Sequence, residues 1–125
     1  MTKPTIVAIV EDDAPLRDAI SNLLRSSGIK TQLYISAIDY LESGESESDL
    51  IITDMAMPGM SGLQLQEAMI SRKDARPVII ITALVDAAVT RRARELGAIA
   101  CLLKPVDEAT LMQAIDAALA SRPGN

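Results

Sequence analysis

Apolar residues along this chain follow two alternating periods. Short runs that are continuously apolar each break off at a polar residue or pair. They are Ile6–Val10 into Glu11 and Asp12, Leu50–Ile52 into Asp54, Val78–Ile81 into Thr82, and Cys101–Leu103 into Lys104. Such runs predict strands, and those from Leu50 and from Val78 read as strands buried on both faces, as in a parallel sheet. A fifth segment, Thr31–Ile35, alternates polar and apolar residues and predicts a half-exposed edge strand. Between the strands the period lengthens to that of a helix. Asp13 is placed to cap a helix with Pro15 in its first turn and Leu16, Ile20, Leu23 and Leu24 as its stripe, ending at Gly28. Ser36 caps a short helix through Leu41, and Ser61 caps a third carrying Leu65, Ala68 and Met69. A fourth carries Val89, Ala93 and Leu96 and stops at Gly97, and a fifth runs from Asp107 with Leu111, Ile115 and Leu119 inward. The Ser43–Ser48 stretch reads as a solvated loop.

Five strand–helix units, right-handed crossovers and an edge second strand predict one α/β domain. It is a (βα)5 doubly wound, five-stranded parallel sheet of order 2-1-3-4-5, flavodoxin-like. No internal repeat interrupts it. The domain is expected to span residues 1–120, with 121–125 as a C-terminal tail or the start of a linker. In an open parallel sheet the carboxyl ends of the strands share the edge where ligands bind. Glu11, Asp12, Asp54, Thr82 and Lys104 therefore converge: three acids, a hydroxyl and an amine.

Composition narrows the chemistry. A chain of 125 residues with 49% hydrophobic content fits one core that needs no covalent staple. The single cysteine, Cys101, cannot form an internal disulfide, and no apolar run reaches the length of a signal core or membrane span. A cytoplasmic location with no membrane partner is the expectation. A net charge of −5 and the absence of histidine argue against direct nucleic-acid binding and against imidazole or zinc chemistry. Met55, Met57 and Met60 read as adaptable packing under the loop, and Arg91, Arg92 and Arg94 as solvated cations near a helix C-terminus.

Four stretches close the predicted strands in order: Val7–Asp13, Thr53–Gly62, Ile81–Ala83, and Gly97–Ala98 through Leu103–Pro105. On these stretches, in this order, the chain resembles over nearly its whole length the receiver domain of response regulators in two-component signalling. The wording around Asp54 is most similar to receivers of transcriptional regulators in the nitrogen-fixation group. The resemblance implies a phosphorylation-dependent switch rather than an enzyme, with Asp54 as phosphoacceptor and catalysis limited to assisting its own phosphorylation and dephosphorylation. It also implies Mg2+ or Mn2+ held by Glu11, Asp12, Asp54 and the Ala56 carbonyl. Thr82 and Lys104 would bind the phosphoryl oxygens, and Ala83 would leave the pocket mouth open. The Lys104–Pro105 peptide is often cis in the family, which would aim the amine inward. Side chains two past the aspartate and two past the threonine, here Ala56 and Leu84, would set the lifetime of the phosphoryl group.

By the same resemblance, a histidine kinase or phosphotransfer protein would dock near Pro15, Arg17 and the loop after Lys104. Helix four, strand five and helix five would form an output or homodimer face, serving a partner or an output domain beyond residue 125. Two residues depart from the family pattern. Receivers commonly carry Tyr or Phe where this chain has Cys101, so the aromatic half of the usual conformational switch is missing. Glu11 replaces the commoner Asp and adds one methylene to a ligand acting through water.

The physical logic agrees with that assignment. Carboxylates held within ~4 Å repel by about 4 kcal/mol per pair at an effective dielectric near 20, so they take up a proton or bind a cation. Magnesium prefers oxygen ligands and keeps several waters, which suits Asp12 and Asp54 as direct ligands. Taken singly, each residue has a plainer explanation: helix-dipole complementation for Glu11, Asp12 and Asp13, turn chemistry for Asp54, a strand end for Thr82, a loop charge for Lys104. Their shared edge favours a site. A phosphatase of the haloacid-dehalogenase type would need an acid where Ala56 stands, and a flavin-phosphate binder would be repelled by Glu11, Asp12 and Asp13. The remaining alternative is a receiver-like adaptor that works without phosphorylation.

Overall fold

The computed structural model describes residues 4–44, 47–84 and 86–121, the side chain of Ser121 excepted. Strands and helices alternate as β1 (Ile6–Val10), α1 (Ala14–Ser26), β2 (Lys30–Tyr34), α2 (Ala37–Glu42), β3 (Leu50–Asp54), α3 (Gly62–Ser71), β4 (Val78–Thr82), α4 (Ala87–Glu95), β5 (Ala98–Leu103) and α5 (Glu108–Ser121). All strand pairs are parallel and the order is β2-β1-β3-β4-β5, as the sequence pattern predicts. β3 is central and buried along its whole length. Its register sets Thr53 opposite Val10 and Asp54 opposite Ile81, while Thr82 on β4 faces Leu103 on β5.

Alternating side chains divide the core into two layers. Val7, Ile9, Leu50, Ile52, Ile79 and Ile81 meet Ile20 and Leu24 of α1 and Leu111, Ile115 and Ala118 of α5. Ala8, Val10, Ile51 and Ile80 face the other way, onto Tyr40, Leu65, Met69 and Ala93. A fully buried Leu or Ile side chain contributes roughly 1.5–3 kcal/mol, so the paired layers hold the sheet firmly under its polar rim. Helix starts are fixed by side-chain caps. Asp13 accepts from Leu16 N, Ser36 from Asp39 N, and Asp107 from Thr110 N. Ser61 and Gln64 form a reciprocal capping box on α3.

Several boundaries differ from expectation for local reasons. β2 ends at Tyr34, because the Ile35 N–H is taken by the Asp39 carboxylate (3.1 Å) and its side chain is left 62% exposed. β5 begins at Ala98, directly after Gly97 ends the helical segment with φ +104, so small residues extend the apolar run backwards. The Ser43–Ser48 stretch is not solvated throughout: Ser48 is buried and its carbonyl accepts from Arg76 Nε at 2.7 Å, while residues 45–46 lie outside the described segments. At the end of α5, Ala118 is buried and Leu119 only half-buried. Ser121 closes that helix, and the rest of the expected tail lies outside the described residues. Among the described residues, no helix is long and apolar enough to cross a membrane.

Gly62 opens α3 against the end of β3. Its N–H donates to Met55 O at 2.8 Å, and a Cβ there would stand 2.7 Å from Asp54 O and 3.1 Å from Met55 Cα. Backbone cannot yield as a flexible side chain does. We therefore expect Gly62→Ala to destabilise the domain by about 1–3 kcal/mol, as overpacking does. A shifted urea midpoint would register it, and an unchanged midpoint would show that the helix start can slide freely.

Candidate functional site

The ladder continues one residue beyond the strand ends and delivers the polar groups. Glu11 N donates to Tyr34 O (3.1 Å), Met55 N to Ile81 O (2.8 Å), and Lys104 N to Thr82 O (2.7 Å). These bonds leave the side chains little freedom. Glu11 is fully buried and Asp54 nearly so, while Asp12 lies exposed at the rim. One carboxylate oxygen from each of the three lies within 4.8 Å of the others. Lys104 Nζ reaches Asp54 Oδ2 at 3.0 Å and Glu11 Oε1 at 3.2 Å.

The remaining oxygens are unevenly served. Asp54 Oδ1 accepts from Ala56 N at 3.3 Å, and Glu11 Oε2 accepts from Asp13 N at 3.2 Å. Glu11 Oε1 pairs with the Lys104 charge but lacks the alignment of a hydrogen bond and has no other partner among the described residues. Burial, aided by the nearby Asp54 carboxylate, pushes the Glu11 carboxyl up to about 7, against the Asp13 N–H and the Lys104 charge. Burial opposes the charge on Lys104 too, yet its hydrogen bond to Asp54 and the charges of Glu11 and Asp54 hold its ammonium above the usual lysine range. Three carboxylates and one ammonium leave two negative charges in excess. A small divalent cation would cancel them, and the donor set fits one. Every donor is a hard oxygen, Glu11 Oε1 is buried without a hydrogen bond, and the Ala56 carbonyl accepts none among the described residues.

Glu11, Asp12, Asp54 and Lys104 thus come together as the sequence suggests. Thr82 reaches the same edge, but its hydroxyl is engaged locally, accepting from Leu84 N at 3.2 Å and donating to Leu84 O at 3.3 Å. Ala83 is exposed, and the Leu84 side chain stands 70% in solvent. Cys101 lies opposite Ile80, half-buried against the α3–α4 layer, where burial pushes its thiol up and Arg94 partly offsets this. The Lys104–Pro105 peptide is cis. Met57 is buried, with Met55 and Met60 packed beside it, so the methionines serve the core. The tight approach of Gly62 to Asp54 O escaped the sequence pattern, although a glycine directly after a helix cap is a signal for it.

This combination defines a flavodoxin-fold domain with an acidic oxygen-donor pocket at the carboxyl edge of its sheet. The chain belongs to the response regulator receiver domain family, whose model matches residues 7–116. It is similar to the transcriptional regulatory protein FixJ of Azorhizobium caulinodans, at 35% identity over 114 residues, covering 90% of this chain and 54% of that protein. The Regulator of RpoS of Escherichia coli is 38% identical over 112 residues, covering 86% of this chain and 33% of its own length. Among solved structures, response regulator StyR superposes with a TM-score of 0.89 at 38% identity, covering 96% of this chain and 61% of StyR. FixJ-N superposes at 0.86 with 27% identity, covering 96% and 97%. The chain thus spans about half the length of FixJ and a third of the Regulator of RpoS. Its family is one of two-component signalling switches rather than of catalytic enzymes.

The Glu11 carboxyl binds its proton more tightly in the folded chain, at about 7, than at its ordinary value of 4.5. Its contribution to stability is therefore fully present below pH 4.5 and lost as pH rises through 7. With divalent metal chelated, Glu11→Gln should gain stability relative to wild type across that window, followed by urea denaturation at a series of pH values. Added Mg2+ should shrink the gain by stabilising the wild-type carboxylates. A difference that does not change with pH would contradict the electrostatic description.

Proposed function

We propose that Asp54 accepts a phosphoryl group from a phosphohistidine donor, a histidine kinase or phosphotransfer protein, and that the altered surface of the domain regulates a partner or an attached output domain. The observation that carries this is the contact of Lys104 Nζ with a nearly buried Asp54, beside two further carboxylates. In transfer, a new bond forms between an Asp54 oxygen and phosphorus while the phosphorus–nitrogen bond of the donor breaks. Such transfers depend mainly on positioning and charge stabilisation. Mg2+, or Mn2+, held by Asp12, Asp54 and the Ala56 carbonyl, with Glu11 acting through water, would supply the balancing positive charge. Lys104, already within hydrogen-bond reach, stabilises the incoming oxygens from the other side.

Thr82 supplies the switch. To donate to a phosphoryl oxygen its hydroxyl must leave the Leu84 backbone, and bonds of 3.2 and 3.3 Å on a half-exposed residue are cheap to lose, roughly 0.5–1.5 kcal/mol each. Their loss releases the segment that leads into α4. That helix buries only Ala93 among its nine residues, so it moves at low cost. With Cys101 in place of an aromatic ring, the signal runs through this loop backbone. The α4–β5–α5 surface, with the exposed Leu103 at the end of β5, is the face offered to a partner or a second copy.

Incubation with acetyl phosphate and Mg2+ tests the assignment. Wild-type protein should gain the mass of one phosphoryl group, lost again in hydroxylamine, and Asp54→Asn should gain none. Asp12→Ala should mainly raise the Mg2+ requirement. A hydroxylamine-sensitive gain in Asp54→Asn would place the acceptor elsewhere, and no gain in wild type would favour the adaptor reading.

Loss of the phosphoryl group requires a water aligned with the phosphorus–oxygen bond. Neither Ala56 nor Leu84 has a side chain that can orient one, so slow self-dephosphorylation is expected. The paired substitutions Ala56→Asn and Leu84→Gln should shorten the acyl-phosphate half-life, followed by intact-protein mass. A wild-type half-life of seconds, or no acceleration in the double variant, would contradict it.

A further inference from the structure

Asp12 is the one carboxylate of the cluster that carries no hydrogen bond of its own among the described residues, and it is exposed. Its direction must therefore come from the backbone on either side. Both flanking peptide groups are gripped. The Glu11 carbonyl accepts from Arg17 Nη1 at 2.8 Å, and the Asp13 N–H donates to Glu11 Oε2 at 3.2 Å. Arg17 also donates its own N–H to Asp13 O at 2.9 Å, the first helical bond of α1. The residue is half-buried, and its guanidinium is turned onto this loop.

We infer that Arg17 is a positioning residue for cation binding, fixing the Glu11–Asp12 peptide plane so that the Asp12 carboxylate faces Asp54. This rests on the proposal that Glu11, Asp12 and Asp54 hold Mg2+. Two effects of Arg17 oppose one another. As a nearby positive charge it repels a divalent ion, so charge alone predicts that its removal tightens Mg2+ binding. As a clamp on a ligand-bearing loop it orders the site, and loss of such a supporting contact typically weakens a metal about 10- to 100-fold. A guanidinium hydrogen-bonded to a carbonyl spends part of its charge on that partner, and solvent at the exposed rim screens the rest. Positioning should win.

The sign of the effect decides. Mg2+ is titrated calorimetrically into metal-free wild type and Arg17→Met, which keeps an apolar stem but loses the donor. The expected result is about tenfold weaker binding in the variant. Phosphorylation by acetyl phosphate should return toward the wild-type rate once Mg2+ is saturating, a shift in the metal requirement rather than in the maximal rate. Circular dichroism in chelator reports folding. If Arg17→Met does not fold, Arg17→Leu, which likewise lacks a donor, replaces it with the same expectation. Equal or tighter Mg2+ binding in the folded variant overturns the inference, as does a lowered maximal rate with unchanged Mg2+ affinity. No Mg2+ binding to wild type would instead overturn the cation site on which it rests.

Discussion

The Lys104 ammonium between two buried carboxylates is the interaction around which the carboxyl edge is organised. At ~4 Å and an effective dielectric near 20, each charge pair is worth about 4 kcal/mol in either sign. Three acids repel one another in three pairs, and a single lysine close to two of them supplies only two attractions. The balance is unfavourable before the cost of burying Glu11 is counted. Two remedies are open to the chain, a proton on Glu11 or an added cation. A site left in this condition is sensitive to whatever charge arrives next, and that sensitivity suits a switch.

Such a conflict persists only on a rigid support. β3 is buried along its length between two helical layers, and the hydrogen bonds at Glu11 N, Met55 N and Lys104 N extend the sheet to the charged residues. The rest of the structure is not equally firm. α1 and α5 pack Ile20, Leu24, Leu111, Ile115 and Ala118 against the sheet, whereas α4 contributes one buried alanine. Firm packing thus lies under the acids and loose packing on the side that Thr82 and Leu84 lead into.

Much of this was legible in the sequence because it rests on period and capping. Ile6–Val10 and Val78–Ile81 announce strands, Asp13, Ser36, Ser61 and Asp107 stand at helix starts, and strand order follows from the polar alternation of Thr31–Ile35. The site was legible for the same reason, since residues at strand ends must share an edge. Less legible were features set by tertiary contact. Gln66, which the sequence pattern does not single out, is buried with its amide donating to Ala93 O across the α3–α4 contact at 3.0 Å. Ser48 reads as loop but is held by Arg76, nearly thirty positions away in sequence. Asp54 and Thr82 could be placed at the rim from spacing alone, but the turn of the Thr82 hydroxyl onto the Leu84 backbone could not, because strand period carries no information about a side-chain rotamer.

The central claim is that, of the three carboxylates gathered with Lys104 at the carboxyl edge of the sheet, Asp54 is the one that accepts the phosphoryl group. Trapping the acyl phosphate tests it at the level of the residue. After incubation with acetyl phosphate and Mg2+, borohydride reduces an aspartyl phosphate to homoserine, which peptide sequencing by mass spectrometry locates. Homoserine at position 54 is the predicted result. Homoserine at position 12, or at none of the acids of the cluster, would contradict it.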